Sequence, residues 1–391
     1  MESPLLSIVV PTKDRDVYLK SFIDIVCDFD SRKVELVVQD NSKSENGIRN
    51  YIDQKQKNNI HYYYDGTPMP VIDNSSLAIS HSKGKYVCFM GDDDLLSYRI
   101  VEFTELMDQY GIDCASFKTS TYSWPGVIYQ AHKFPNLMIE HFKEKIQRVS
   151  PSEEREQLLK RGGVSLDKMP QLYHGIVKRS CLEEIYQTCG TYFPGPSPDM
   201  AVATALSYVV NNIVFCNIPI ITSGKSPKSA AGLGAKHQHK GKLADMSFLP
   251  ADIETKWNDK LPKIWTGPTI YGQSIYEALS RMKQTYDLKR FNYGYFYAYF
   301  FIFCNSNREY LRAAMKKATL PERTGFILNI PLLFLFRTRV FIHNRVRLKL
   351  RTGIFQYDGV PNTYEAEKII DSHLDHVNLM SIFQDCMGGH H

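Results

Sequence analysis

The sequence has no Cys-x-x-Cys pair. Its eight cysteines, at 27, 88, 114, 181, 189, 216, 304 and 386, are scattered, which excludes zinc-ribbon and dithiol redox spacings. Several sit in apolar strings such as Val87-Cys88-Phe89 and Val214-Phe215-Cys216, and these read as buried, reduced thiols of a cytosolic protein. No uninterrupted apolar run reaches the ~18 residues of a membrane span. The N-terminus passes directly into Leu5-Leu6-Ser7-Ile8-Val9-Val10 without a basic segment or a small-residue cleavage site, so no signal peptide is expected. Internal repeats are absent, and Gly (23) and Pro (19) are too few in 391 residues for a disordered or fibrous chain. A large charge excess is missing too. The net charge of +5 gives no reason to expect a nucleic-acid partner.

What remains is a globular composition. The chain is 43% apolar and long enough for two domains, or for one domain with a large appendage. Its first hundred residues alternate strand and helix patterns. Leu6–Val10, Val34–Val38 and Lys85–Met90 are short apolar runs of the kind found in buried parallel strands. Tyr18–Phe29, Asn74–His81 and Leu95–Tyr110 carry helical spacing between and after them. This alternation predicts an α/β fold with right-handed crossovers and ligands beyond the carboxyl ends of the strands. Further on, Asp113–Lys118 and Tyr173–Lys178 read as strands. Phe142–Lys160, Leu182–Thr188 and Asp199–Asn211 read as helices, and Ser223–Lys242 as a Gly/Ser/Lys/His-rich loop. Helices are expected over 270–286, 291–303 and 307–318.

The polar residues after the strands carry the chemistry. Strand one exits into Pro11-Thr12-Lys13-Asp14-Arg15, and strand two into Asp40-Asn41-Ser42. Asn74, Lys83 and Gly84 precede the third strand, which ends in Gly91-Asp92-Asp93-Asp94. Three adjacent carboxylates repel one another unless a cation neutralises them, and hard oxygen ligands suit Mg²⁺ or Mn²⁺. The alternative is a solvated acidic turn that caps a helix starting near Leu95.

Together these segments resemble the nucleotide-binding half of family 2 inverting glycosyltransferases. They are Ile8-Val9-Val10-Pro11-Thr12, Glu35 through Ser42, Asn74, Gly84-Lys85-Tyr86 and Gly91-Asp92-Asp93-Asp94. The resemblance covers about residues 5–110 and extends weakly to about 235. It implies a GT-A, Rossmann-like fold: a mostly parallel central sheet flanked by helices, here followed by a helical C-terminal region. It implies a nucleotide-sugar donor, by default a UDP-sugar, and Mn²⁺ or Mg²⁺ as cofactor. Donor contacts are implied for Pro11, Thr12 and Asp40, and the polar residues beside them at the strand ends, Asp14, Arg15, Asn41, Asn74 and Lys83, are further donor-binding candidates. Asp94 is implied as metal ligand and Asp92 as ribose contact, with Asp92 also a candidate ligand and Asp93 open to either role. The family's usual acidic motif carries an aspartate where this chain has Gly91.

An inverting transfer also needs a base for the acceptor hydroxyl. The family places it at a helix start, and here Ser197-Pro198-Asp199 opens a helix, so Asp199 is the candidate. The basic loop around Lys225–Lys240 has the composition of a segment that folds over the donor. His237 and His239 are candidates there for a further metal ligand, and His174 is a candidate on the acceptor side.

This reading divides the chain into a transferase domain, 1–245 (donor side 1–110, acceptor side 111–245), and a helical region, 246–387. Residues 388–391 read as a tag remnant. Phe326–Phe336 is apolar and Arg337–Arg351 basic, which suits either peripheral contact with a membrane or a homo-oligomer interface. The expected acceptor is a glycan or lipid-linked glycan in bacterial capsule, O-antigen or other surface polysaccharide synthesis. The expected location is cytoplasmic, on the inner membrane face where lipid contact is made. Two other readings stay open: a sugar nucleotidyltransferase, although Pro11–Arg15 lacks its Gly-rich loop, and a non-catalytic scaffold.

Overall fold

The computed structural model describes residues 3–45, 47–127, 135–227, 229, 240–350 and 353–388. Strands β1 (Leu6–Thr12), β2 (Val34–Asp40), β3 (Ile60–Tyr64) and β4 (Tyr86–Phe89) are parallel, in the order β3-β2-β1-β4. Helices α1 (Asp16–Cys27), α2 (Ile48–Lys55) and α3 (Val71–His81) connect them. Every residue of β2 is buried, as expected of a parallel strand covered on both faces. The sequence reading did not find β3. It is an edge strand whose residues after Ile60 are only half-buried, so it lacks the continuous apolar run of its neighbours.

Four further strands extend this sheet to eight, ordered β3-β2-β1-β4-β10-β6-β11-β9. They are β6 (Cys114–Phe117), β9 (Ile146–Val149), β10 (Gly175–Lys178) and β11 (Ile213–Cys216). Strand β10 runs antiparallel to both β4 and β6, so the sheet is parallel on the donor side and mixed beyond it. A second sheet has the order β13-β8-β7-β12-β5. It contains β5 (Leu95–Leu96), β7 (Ser120–Ser123), β8 (Asn136–Glu140), β12 (Ile221–Lys225) and β13 (Ile354–Asp358). With its flanking helices this is the α/β GT-A arrangement that the resemblance implied.

Two expected helices begin later than their apolar spacing suggested. Leu95 and Leu96 pair with Thr222 and Ile221 as a strand, so α4 (Arg99–Gln109) starts at Arg99. Within 142–160, Ile146–Val149 is β9, and α5 (Pro151–Lys160) starts where Ser150 accepts the Glu153 N–H and Pro151 fills the first turn. Helices α6 (Arg179–Cys189) and α7 (Pro198–Val209) cover the sheet's acceptor half. A helical layer follows: α8 (Ile253–Lys256), α9 (Gly267–Arg281), α10 (Thr285–Arg290), α11 (Tyr293–Phe303) and α12 (Arg308–Met315). Met200 of α7 shares a core with Leu261, Ile275, Phe296 and Phe300.

The 31-residue helix α13 (Leu320–Leu350) crosses α11, where Gly294 lies against the Gly325 backbone; a Cβ on Gly294 would stand 2.9 Å from it. Over Leu320–His343 it is long and apolar enough to cross a membrane. The sequence reading required an uninterrupted run and stopped at Arg337; the helix reaches this length by tolerating charges near its ends.

Residues 354–388 return to the first half of the chain, against the expected division at 245/246. Strand β13 pairs with β8. Helices α14 (Thr363–Leu374) and α15 (Leu379–Gly388) pack on the donor-side core, where Phe383 lies 5.0 Å from Phe103. Arg99 donates to the carbonyls of Leu374 (2.9 Å) and Val377 (2.7 Å), and Tyr122 to that of Val360 (2.8 Å).

Glu367 and Asp371 face each other on α14. Burial raises the Glu367 pKa, and the Asp371 carboxylate beside it raises it further, so the folded state holds a proton that the unfolded chain releases. This stabilisation is complete below the ordinary carboxylate range and is lost as pH climbs above it. Glu367→Gln, which keeps a donor and removes the charge, should therefore raise stability at pH 8 by on the order of 1 kcal/mol and leave pH 5 nearly unchanged. Thermal unfolding at the two pH values tests this; equal shifts at both would contradict it.

Candidate active site

Strand β4 ends beyond Phe89 in a tight turn, Gly91–Asp94, closed by the Asp94 N–H on the Gly91 carbonyl (3.3 Å). The turn puts three carboxylates in the interior, with Asp92, Asp93 and Asp94 at 1%, 3% and 0% exposure. It does not cap a helix, because β5 follows it. Buried carboxylates are costly unless neutralised and hydrogen-bonded, and each of these has its own partners.

Asp92 accepts from Thr12 Oγ1 (2.5 Å) and lies 3.1 Å from the Arg15 guanidinium. Asp93 lies 2.6 Å from the same guanidinium nitrogen and accepts the Ser226 N–H (3.0 Å). Asp94 is the most enclosed. Its Oδ2 accepts from the Gly91 N–H (2.7 Å) and Tyr173 Oη (3.0 Å) and lies 2.8 Å from His174 Nε2. Its Oδ1 accepts the Gly224 N–H (2.7 Å). Burial raises the pKa of Asp92 and Asp93 against the pull of Arg15. Burial opposes the charge on Asp94 too, but His174 and the other donors outweigh it, and its pKa falls. His174 is stabilised as a cation in return, by Asp94 against its own burial. It also adopts φ +58°, a left-handed conformation rare outside glycine, which aims its ring at Asp94.

These contacts change the assignment within the triplet. With four protein donors on its carboxylate, Asp94 locks the turn to β12 and to the Tyr173-His174 segment, and the oxygens facing strand one belong to Asp92 and Asp93. The glycine at 91 is explained as well. A Cβ there would sit 2.9 Å from Asp94 Oδ2 and 3.2 Å from Asp93 Oδ1.

Thr12 and Asp40 are register partners at the carboxyl ends of β1 and β2. Pro11 sits one position earlier, opposite Gln39. Asp40 accepts the Ser42 N–H (2.8 Å) and Tyr62 Oη (2.8 Å). Asn41 donates to the carbonyls of Asp65 (2.7 Å) and Thr67 (2.6 Å). Asp14, at φ +55°, accepts the Lys43 N–H (3.1 Å). Asn74 donates to the Thr12 carbonyl at 3.5 Å. Lys83 does not belong with them. Its side chain is exposed and its N–H bonds the buried Glu35, which also accepts from Ser7 and the Gly84 N–H at the opposite end of the sheet. The sequence reading grouped Lys83 with the acidic strand although it precedes that strand.

Asp199 lies in the first turn of α7, half-buried, and burial raises its pKa. Its charge acts on His174, Tyr173 and Tyr271, so it borders the same centre. Gly195 seats this helix start against α9, and the Ser197 N–H donates to Ser274 Oγ (2.8 Å). His237 and His239 lie outside the described residues.

Sequence reading missed Tyr173 and Trp124, and named Gly224 and Ser226 only as part of the loop expected to fold over the donor. Trp124 Nε1 donates to the Asp93 carbonyl (2.8 Å). None has a local motif: Trp124, Gly224 and Ser226 meet the turn because β12 pairs with both β5 and β7, and Tyr173 because it bridges Phe89 at the entry to β10.

The donor set fits a divalent cation. Asp92 Oδ1 is buried, accepts no hydrogen bond and faces only the Arg15 cation. Among the described residues no three acidic, His or Cys side chains converge to hold a metal alone. That suits Mg²⁺ or Mn²⁺, which take one or two carboxylates and complete their shell with substrate phosphates and water.

Residues 7–162 match the family described as Glycosyl transferase family 2. No curated protein matches the chain significantly. Among solved structures, S. aureus TarS 1-349 is 17% identical, with a TM-score of 0.44 over 83% of this chain and 78% of that one. Its complex with UDP-GlcNAc gives 16%, 0.45, 82% and 78%. The mannosyltransferase PcManGT from Pyrobaculum calidifontis, in complex with GDP-Man and Mn²⁺, gives 13%, 0.39, 96% and 88%.

A Cβ on Gly224 would fall 1.7 Å from the Asp93 carbonyl oxygen. Gly224→Ala should thus displace β12 from the turn and cost about 1–3 kcal/mol of stability. Denaturant unfolding measures this, and a neutral result would mean that the strand does not lie against the turn.

Proposed function

We propose, on the match of residues 7–162 to Glycosyl transferase family 2, that this chain is a family 2 glycosyltransferase carrying out a metal-dependent, inverting transfer of a sugar from a nucleotide-sugar to an acceptor hydroxyl. One observation carries the reading. A buried carboxylate turn stands at the carboxyl end of a parallel sheet, next to Thr12 and Arg15 from the first strand's exit. Nearby, Asn41 Oδ1 and Asn74 Oδ1 are buried acceptors without hydrogen bonds among the described residues, which suits the N–H and hydroxyl donors of a nucleoside. Asp92 and Asp93 would hold the cation. When bound, Mn²⁺ or Mg²⁺ supplies charge stabilisation to the leaving diphosphate. A UDP-sugar is the proposed donor, on the family resemblance, and a glycan or lipid-linked glycan of bacterial surface polysaccharide, such as capsule or O-antigen, the acceptor.

Asp199 is the proposed general base. Its half-buried carboxyl accepts the acceptor hydroxyl's proton while that oxygen attacks the anomeric carbon on the face away from the nucleotide. Tyr173 and His174, hydrogen-bonded to Asp94, also feel the Asp199 charge, so the proposed base lies close to the carboxylate turn.

Peripheral contact with the inner membrane face is part of this proposal. One side of α13 is held on α11 through Leu333 and through Arg337, which donates to the Ile302 carbonyl at 2.5 Å. Ile327, Leu328, Leu332, Phe334, Leu335 and Phe336 are each more than half exposed. Arg337, Arg339, Arg345, Arg347 and Lys349 follow with no acidic residue before Asp358. An anionic bilayer matches both features, whereas a second copy of this basic segment would add like charges.

Three measurements follow. Calorimetry of UDP, GDP, CDP and dTDP should find one nucleotide bound with Mn²⁺ and lost in EDTA; binding of none would undo the transferase reading. Asp199→Asn should lower transfer by about 10²–10⁴-fold while sparing donor binding. In the wild type, turnover should fall with acidification through a pKa above the usual aspartate range, because the base works deprotonated. An unchanged rate in the variant would remove Asp199 from the role. In flotation assays, the chain should rise with vesicles containing anionic lipid, and Phe334→Glu/Leu335→Glu should stay behind. Wild-type protein left at the bottom would point to self-association instead.

A further inference from the structure

Arg15 occupies the gap in which a cation on Asp92 and Asp93 would lie. One guanidinium nitrogen stands 2.6 Å from Asp93 Oδ2 and 3.1 Å from Asp92 Oδ1, and donates to Ser226 Oγ at 2.6 Å. A divalent ion bound to the same two oxygens at about 2.1 Å has to take that nitrogen's place. The arginine is also an incomplete solution for the pair. It brings one positive charge to two carboxylates. Its Nε is buried with no hydrogen-bond partner, and Asp92 Oδ1 accepts no hydrogen bond. A well-settled buried ion pair satisfies such groups.

Its surroundings hold the side chain without fixing it to the acids alone. Arg15 is the N-cap of α1, and its guanidinium lies 5.3 Å from the Tyr18 ring centre. Trp124 buttresses Tyr18 edge-on at 4.8 Å. The residue before it, Asp14, has φ +55°, a backbone state that costs a non-glycine residue free energy. The cation–π contact gives the guanidinium a place to rest when it leaves the carboxylates.

We propose that Arg15 is the resident counter-cation of Asp92 and Asp93 and competes with the divalent metal for them, so that metal binding displaces the guanidinium. Arg15 is then a positioning residue: it keeps the carboxylate turn folded and charge-balanced between turnovers and sets the metal affinity. The inference rests on the metal-dependent reading of the site given above.

The test is Mn²⁺ binding to the full chain without nucleotide, read as loss of the free-ion paramagnetic resonance signal. Arg15→Gln removes the competing charge and should bind Mn²⁺ at least tenfold more tightly than wild type. Ser226→Ala removes the hydroxyl that holds the guanidinium and leaves every charge in place; it should tighten binding by a smaller factor, and it serves if Arg15→Gln does not fold. Arg15→Lys keeps a cation and should stay close to wild type. Equal or weaker Mn²⁺ binding by both Arg15→Gln and Ser226→Ala overturns the competition. If Asp92→Asn or Asp93→Asn then abolishes binding, the metal site stands without the arginine's role. If no form binds Mn²⁺ while a nucleotide binds in EDTA, the metal-dependent reading fails, and the competition with it.

Discussion

Three negative charges forced into one buried turn are the constraint on which this structure depends. Apolar packing cannot absorb them, so donors and cations must come from elsewhere in the chain. Thr12 and Arg15 come from the exit of the first strand, Tyr173 and His174 from the entry to β10, and Gly224 and Ser226 from β12. Each supplier belongs to a different segment. The turn is therefore the point at which the first strands, the entry to β10 and the second sheet are tied together. Breaking a buried charge pair of this kind costs several kcal/mol, so the chemistry and the stability of this centre cannot be separated.

The sequence made the donor half legible because its strands are short, continuous apolar runs. β1, β2 and β4 follow from Leu6–Val10, Val34–Val38 and Lys85–Met90, and the polar residues at their ends follow from them. Lys83 was misassigned because proximity in sequence to the acidic strand is not proximity to its carboxyl end. The division of labour within the triplet was also invisible. Nothing local distinguishes Asp93 from Asp94; what separates them is that the Tyr173-His174 segment closes over Asp94 and Arg15 over Asp93. Gly91, a departure from the usual family motif, makes sense only once the carboxylate of Asp94 is seen folding back into its place.

Elements set by long-range pairing escaped for the same reason. Leu95-Leu96 has helical neighbours and becomes a strand only because Ile221 and Thr222 lie beside it. β13 sits after a 31-residue helix and joins β8 across more than two hundred residues of chain. Periodicity reads what a segment buries, not what it buries it against. The apolar character of α13 was read correctly as a feature, and its length became clear only as a helix lying with most of its apolar side chains outward.

The return of residues 354–388 to the donor-side core affects how the protein is made. Phe383 meets Phe103 edge-on, and Arg99 donates to the carbonyls at 374 and 377. During synthesis these partners leave the ribosome well after Arg99 and Phe103. The nascent first half thus waits with Arg99 paired only to Glu102 and with an uncovered apolar face, long after its own strands are complete. α13 emerges before that face is closed, so a growing chain exposes two apolar surfaces at once. Closure of that core, rather than translation of the carboxylate turn, thus awaits the emergence of residues 354–388.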